Sequence, residues 1–326
     1  MVKDKIFRYK KFIDAKIKTA AAGAIKVLVT DAQKIQMGEY NYVYKVLTSR
    51  GPVLARVFRR KYWPEAGKLQ WIEKQLRKQH IPHAKILYYS RDSGYFPNGF
   101  MVTEFLEGGD GRTAVNAGRL SLAQAFVNIG RALKKVHRIK VRKFGLVNYG
   151  QGENSDFISQ RVIKNLQQHS KDLLRIKIMQ PEIYKIAQEV LVRDLSPFNR
   201  RFKPVLVHRD PARENAIYTP DKKWVLVDWD NAISSTWLED YADLTFWADY
   251  KTSSAAAGRK KVLIEKNFFR GYGKTSFTKA EIKIIERSLH IIKCVQMLPY
   301  YYFTQKNMDG FRYIKNKLNR LLTENQ

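Results

Sequence analysis

Two short apolar runs, residues 204–207 and 224–227, bracket a polar segment that reads Val207-His208-Arg209-Asp210-Pro211-Ala212-Arg213-Glu214-Asn215 and resumes as Val227-Asp228-Trp229-Asp230. Apolar runs this short, closed by turn residues such as Thr219-Pro220-Asp221, predict buried strands rather than helices. The two runs read as one short hairpin, which puts Asp210 and Asn215 on a loop and Asp228 at the end of the paired strand, facing that loop. A fold for this chain must therefore gather two carboxylates and an amide beside a small β element.

Residues 3–28 carry Ile6, Phe7, Phe12, Ile13 and Ile17 at near-helical spacing. Runs at 42–47 and 53–58 around Ser49-Arg50-Gly51 predict a hairpin, and a helix is expected from about Pro64 to Lys78, with Pro64 in its first turn. Strands follow at 85–89 and 100–106, then Glu107-Gly108-Gly109-Asp110-Gly111, which reads as a hinge. Beyond it the period turns helical, with capping boxes at Ser121 to Gln124 and Thr278 to Glu281. The expectation is an α+β chain of two lobes: a basic helical extension over 1–29, a small β-rich N-lobe over 30–107 and a larger, mainly helical C-lobe over 108–326. With 44% hydrophobic residues the chain can fill a large core, which excludes a disordered tail protein. The single cysteine, Cys294, excludes an internal disulfide framework and a cysteine-rich zinc site, and it sits in an apolar run as a buried thiol. No apolar run approaches the roughly 20 residues of a membrane span, and no signal-peptide core follows the basic start, so a cytoplasmic protein is expected.

The polar segment supplies what phosphoryl transfer to an alcohol needs. One carboxylate must take or orient the hydroxyl proton, and hard oxygen ligands must hold Mg²⁺ against the phosphates. Asp210 suits the first task; Asn215 and Asp228 suit the second. His208, Arg209, Asp210 and Asn215 fall in register with the kinase catalytic loop H-R-D-x-x-x-x-N, and Asp228 follows Asn215 at a kinase-like separation. The ending Val-Asp-Trp-Asp, in place of Asp-Phe-Gly, resembles the aminoglycoside phosphotransferase and choline kinase superfamily, which has a protein-kinase-like fold. The resemblance spans roughly residues 30 to 320. It implies a nucleotide loop at Gly38 and Asn41, a hinge at Glu104 to Leu106 whose backbone meets the base, a short motif at Phe144-Gly145-Leu146, and a helix-opening role under the catalytic loop for Asp243. It also implies a cation on the third strand for the phosphates. That position holds Arg56 where lysine is usual, and Arg keeps the charge with a planar fork. The acidic partner of Arg56 is Glu65 by helix signature or Glu73 by spacing.

The resulting expectation is a Mg²⁺-dependent enzyme that moves the γ-phosphate of ATP or GTP to a hydroxyl of a small molecule. Alternatives are a protein Ser/Thr kinase, or a non-catalytic kinase-fold module on RNA or an anionic surface. The net charge of +30 points toward an anionic partner, and the basic run Arg131, Lys134, Lys135, Arg138, Lys140, Arg142 and Lys143 is a candidate anion-binding face, with a solvated helix end as the alternative. Tyr300-Tyr301-Tyr302-Phe303 is read as packing between helices or lining the acceptor site, and His80 with His83 lacks a third metal ligand nearby.

Overall fold

A computed structural model describes residues 2–37, 41–61, 63–147, 155–250 and 253–323, with side chains from residue 12 onward except at 36, 37 and 254. In chain order, helix α1 (Val2–Ile25) leads into strands β1 (Val29–Met37), β2 (Asn41–Thr48) and β3 (Gly51–Phe58), then α2 (Lys68–Lys78), β4 (Ile86–Ser90) and β5 (Phe100–Glu104). A two-residue strand β6 (Gly109–Asp110) precedes α3 (Gly111–Asn116), α4 (Leu122–Val136), β7 (Gly145–Leu146), α5 (Ile158–Arg175) and α6 (Pro181–Leu195). Short strands β8 (Val205–Val207), β9 (Ala216–Tyr218), β10 (Trp224–Leu226) and β11 (Ile233–Ser235) follow. Helices α7 (Leu238–Phe246), α8 (Ser254–Tyr272) and α9 (Lys279–Pro299), a π-helical turn over Tyr300–Gln305 and α10 (Met308–Thr323) complete the chain. It forms two compact units, 1–113 with 214–230 and 114–213 with 231–326. Helix α1 and residues 214–230 fall in the first unit.

In the first unit the five-stranded antiparallel sheet runs β1-β2-β3-β5-β4. The expected hairpin is present, with Val46 opposite Val53 and Tyr44 opposite Ala55. Helix α1 covers one face of the sheet. Ile13, Ile17, Ala20 and Ala21 recur at helical spacing and are buried against Tyr42, Tyr44, Val46, Val53 and Ala55. The Tyr44 hydroxyl donates to Asp14 Oδ1 at 2.5 Å, which ties the helix to β2. Helix α2 begins later than expected: Gly67, at φ 77°, is its N-cap, and that left-handed backbone cannot continue a right-handed helix from Pro64.

Two further expectations change. The glycine segment 107–111 is built into a sheet: Gly109 pairs with Tyr218 and Asp110 with Ile217, while the Asp110 carboxylate accepts from Thr113 N–H at 2.9 Å and caps α3. Gly108, at φ 124°, lies so close to the Tyr218 carbonyl that a Cβ would overlap it. The runs 204–207 and 224–227 are also not one hairpin. β10 pairs with β9, and β8 pairs with β11 in a different sheet. The intervening Ala216-Ile217-Tyr218, too short to show a period, takes the partnership with β10.

The second unit is a helical assembly with the sheet β7-β11-β8. Thr278 with Glu281 closes the expected reciprocal box; at α4 only half of the box forms, since Ser121 Oγ accepts from Gln124 N–H at 3.1 Å while the Gln124 side chain turns to Asn128 Oδ1 at 3.0 Å. Helices α4 and α8 approach so closely that a Cβ on Gly130 would overlap the Phe268 carbonyl and one on Gly271 the Val127 carbonyl. Gly271→Ala is expected to destabilise the protein by about 2–3 kcal/mol through overpacking, read by denaturant unfolding; an unchanged midpoint would mean the helices can separate at no cost.

His290 on α9 is buried, and its Nε2 donates to the Ala242 carbonyl at 2.9 Å. Burial, helped by the Lys317 charge, lowers its pKa to about 3. The unfolded chain binds this proton near pH 6.5 and the folded one only near 3, so between those values unfolding takes up a proton and stability falls as pH falls. The slope from this group is about 1.4 kcal/mol per pH unit at most. His290→Gln should flatten that acid limb in thermal melts taken from pH 7 to 4; an unchanged limb would refute the assignment.

Candidate active site

The first unit concentrates charge around the end of β10. Asp230 is buried, and its Oδ2 accepts from Arg56 Nη2 at 2.7 Å and from Asn41 Nδ2 at 3.1 Å. Its carbonyl accepts from the fully buried Lys68 Nζ at 2.7 Å. One residue thus ties β2, β3 and α2 to the segment after β10. Arg56 also reaches Asp228 Oδ1 at 3.4 Å, but that carboxylate is about half exposed, at 52%. Burial alone would lower the Arg56 pKa; the charges of Asp230 and then Asp228 more than offset this and raise it. Asp228 itself adopts φ 63°, a left-handed backbone uncommon in residues with a side chain and best tolerated among them by Asp, Asn and His. Asn215 joins this unit through its carbonyl, which accepts from Val227 N–H at 2.9 Å.

Neither expected glutamate meets Arg56. Glu65 accepts from Lys68 Nζ at 2.9 Å, and Glu73 lies 3.4 Å from His83 Nε2. The Arg56 partner is Asp230 instead. Asn41 stands beside that pair. Glu104 ends β5 with its carboxylate on Lys85 Nζ at 3.3 Å, and Leu106 follows half-buried. Gly38 lies outside the described residues.

The second unit carries Asp210, half-buried on the loop after β8. That loop is held from below by Asp240 in the first turn of α7. Asp240 Oδ2 accepts from His208 N–H at 2.9 Å and Oδ1 from Arg209 N–H at 2.6 Å. His137 at the end of α4 adds a contact, its Nε2 3.0 Å from Asp240 Oδ2, while its Nδ1 meets the Tyr272 hydroxyl at 3.0 Å. Burial would raise the Asp240 pKa, but the His137 bond and the His208 contacts bring it below the usual value, so it stays ionised. The helix-opening role expected of Asp243 therefore belongs to Asp240, one turn earlier. Asp243 faces Lys293 Nζ at 2.8 Å, and burial pushes its carboxyl up to about 6. Arg209, at φ 64°, places its side chain on Gln296 Oε1 at 2.8 Å and on Glu239 at 3.1 Å. Arg161 closes on the same Glu239.

Sequence reasoning thus missed the buried role of Lys68 and the roles of Asp240 and His137, and it left Asp230 open. A signal existed for the first: Lys68 stands three residues after Glu65, close enough in the chain for the two charges to pair across the turn before α2. His137 ends a helix as an ordinary C-terminal basic residue, so nothing local marks it.

Comparison with known proteins agrees with this arrangement. The chain is similar in fold to the aminoglycoside phosphotransferase APH(4)-Ia at 11% identity, with 96% of this chain and 99% of that one covered and a TM-score of 0.69. It is similarly close to the spectinomycin phosphotransferase APH(9)-Ia solved with ADP and spectinomycin (12% identity, 95% and 97% covered, TM-score 0.60) and to APH(2")-IIa in its ternary complex with streptomycin and ATP (15%, 95% and 98%, 0.62). No curated protein sequence matches the chain. The phosphotransferase enzyme family, APH, matches residues 31–274, which include Arg56, Asp210, Asn215, Asp228 and Asp240. With that match across most of its length and a protein-kinase-like α+β fold, the chain belongs to the APH phosphotransferase family, within the aminoglycoside phosphotransferase and choline kinase superfamily.

Proposed function

We propose that this phosphotransferase uses ATP or GTP with Mg²⁺ to phosphorylate a hydroxyl group of a small molecule. The observation that carries the reading is the Asp240 carboxylate, which takes both the His208 and Arg209 N–H groups and so fixes the backbone that presents Asp210. A loop anchored by a buried ionised group returns its neighbouring side chain to one position at each turnover.

Asp210 accepts a hydrogen bond from the acceptor hydroxyl, orients its oxygen toward the γ-phosphorus and takes the proton as the new O–P bond forms. The donor diphosphate departs with the electrons of the broken bond. Arg56 supports charge on the phosphates from its seat on Asp230, and its fork can grip two oxygens at once. Asn215 and the exposed Asp228 carboxylate are hard oxygen donors of the kind Mg²⁺ takes alongside phosphates and water. When bound there, the ion would neutralise phosphate charge. The backbone near Glu104 and Leu106 would seat the base.

The test is nucleotide consumption by the purified protein with a pooled set of hydroxyl-bearing small molecules, with ATP or GTP as donor and with Mg²⁺ present or chelated. Acceptor-stimulated, Mg²⁺-dependent turnover is expected, and dividing the pool names the acceptor class. Nucleotide binding without stimulation by any small hydroxyl compound, together with phosphate appearing on a protein, would replace the reading with a protein kinase.

A further inference from the structure

We propose that the outer face of α4 and α8 binds the phosphodiester backbone of a nucleic acid, independently of the phosphotransfer site. Across the whole chain there is one acidic residue for every two basic ones, yet residues 111–152 contain nine Lys or Arg and no Asp or Glu. Helix α8 adds five basic residues against one acidic residue, Glu265. The fold brings these two stretches into one surface. Gly130 and Gly271 let the helices meet backbone to backbone at their crossing. Ile129, Leu133 and Val136 are buried on the core side of that line, whereas Arg131, Lys135 and Arg138 are exposed on the other. On α8 and just beyond it, Lys266, Arg270 and Lys274 are exposed in the same way. Lys134 reaches across the crossing to lie over the Tyr272 ring at 4.7 Å, which joins the two rows.

None of these six exposed cations forms an ion pair among the described residues, although Lys143 and Lys261 nearby are paired to Asp156 and Glu286. Cations held this close without counter-charges repel one another, and an external polyanion relieves that repulsion while releasing its own condensed counterions. The shape of the patch favours a linear polyanion. Within the helices the rows from Lys266 to Arg270 and from Arg131 to Lys135 each rise about 6 Å, and Lys274 and Arg138 carry them past the helix ends, enough for successive phosphates about 3.4 Å apart along one strand. A lipid surface would ask for bulky apolar side chains beside the cations. Val262 is the only large exposed hydrophobic on either helix among the described residues.

The experiment measures fluorescence anisotropy of labelled single-stranded RNA, duplex RNA and duplex DNA against the full chain from 50 to 300 mM salt. Vesicles with and without anionic lipid are run in parallel. Two variants are compared: the face triple Arg131→Gln, Lys135→Gln, Arg138→Gln, and a control triple Lys171→Gln, Lys185→Gln, Lys283→Gln on exposed positions of other helices. Circular dichroism and melting confirm that both fold. The face variant is expected to bind at least about tenfold more weakly, with its log–log salt slope reduced by about two for a single strand. The control should remain close to the parent, and the RNA and DNA arms show which backbone fits better. Equal weakening by both triples would mean diffuse charge and would overturn the proposal, as would binding to anionic vesicles alone or to none of the probes. Because the readout is binding and not turnover, failure of the phosphotransfer reading leaves this result unaffected.

Discussion

Asp210→Asn is expected to reduce acceptor-dependent phosphoryl transfer by about 10²–10⁴-fold, the range general-base catalysis contributes. The amide keeps the size of the carboxylate and a hydrogen-bonding oxygen, so the loop should hold: its anchor is backbone N–H to Asp240, which the substitution does not touch. Nucleotide affinity should be unchanged, because Arg56, Asn215 and Asp228 belong to the other compact unit. Steady-state kinetics with a saturating acceptor, paired with nucleotide titration by calorimetry, separates the two quantities. Transfer that survives at the parental rate would mean that Asp210 is not the base. Loss of nucleotide binding would mean that the substitution had damaged more than the chemistry.

Asp230→Ala carries the largest expected cost to stability, about 3–5 kcal/mol, the range for stripping one partner from a buried ion pair. The Arg56 side chain is only 11% exposed and the Asp230 side chain 6%, so water cannot readily replace the lost carboxylate. Asp228, at 3.4 Å and half exposed, is the only other carboxylate beside it among the described residues. A cycle with Arg56→Met distinguishes this cause from simple cavity formation. If the buried charge is the problem, removing it as well restores much of the stability, while nucleotide binding stays impaired if Arg56 serves the phosphates as proposed. Additive losses in chemical denaturation would place the cost in packing instead.

The spacing of the polar residues was more legible in the sequence than the connections that hold them. His208, Asp210, Asn215 and Asp228 stand at fixed separations between apolar runs, and spacing survives in one dimension. The hairpin β2–β3, the capped helices α4 and α9 and the amphipathic α1 were readable for the same reason, since each is set by local period or a local cap. Pairings that skip along the chain were not. β8 joins β11 across the whole catalytic loop, and three-residue strands carry too little pattern to announce a partner. The partner of Arg56 lies 174 residues away at Asp230 rather than on the neighbouring helix. The helix-opening aspartate was missed by one turn because Asp240 and Asp243 share a helical face, and only the hydrogen bonds to the loop tell them apart.

The helix α1 against the sheet has a practical meaning for anyone who defines this protein by homology. The family match begins at residue 31, after that helix has ended, and stops at 274, before α9 and α10. Yet Ile13, Ile17, Ala20 and Ala21 form one wall of the sheet's only described core cluster, and Tyr42 and Tyr44 lie beneath them. A fragment trimmed to the matched borders would open that wall to water as a bare, sticky face of aromatic and branched residues, the kind of surface that drives self-association. The matched segment and the folding unit of this chain are different lengths, and only the longer one is a sound object for the bench.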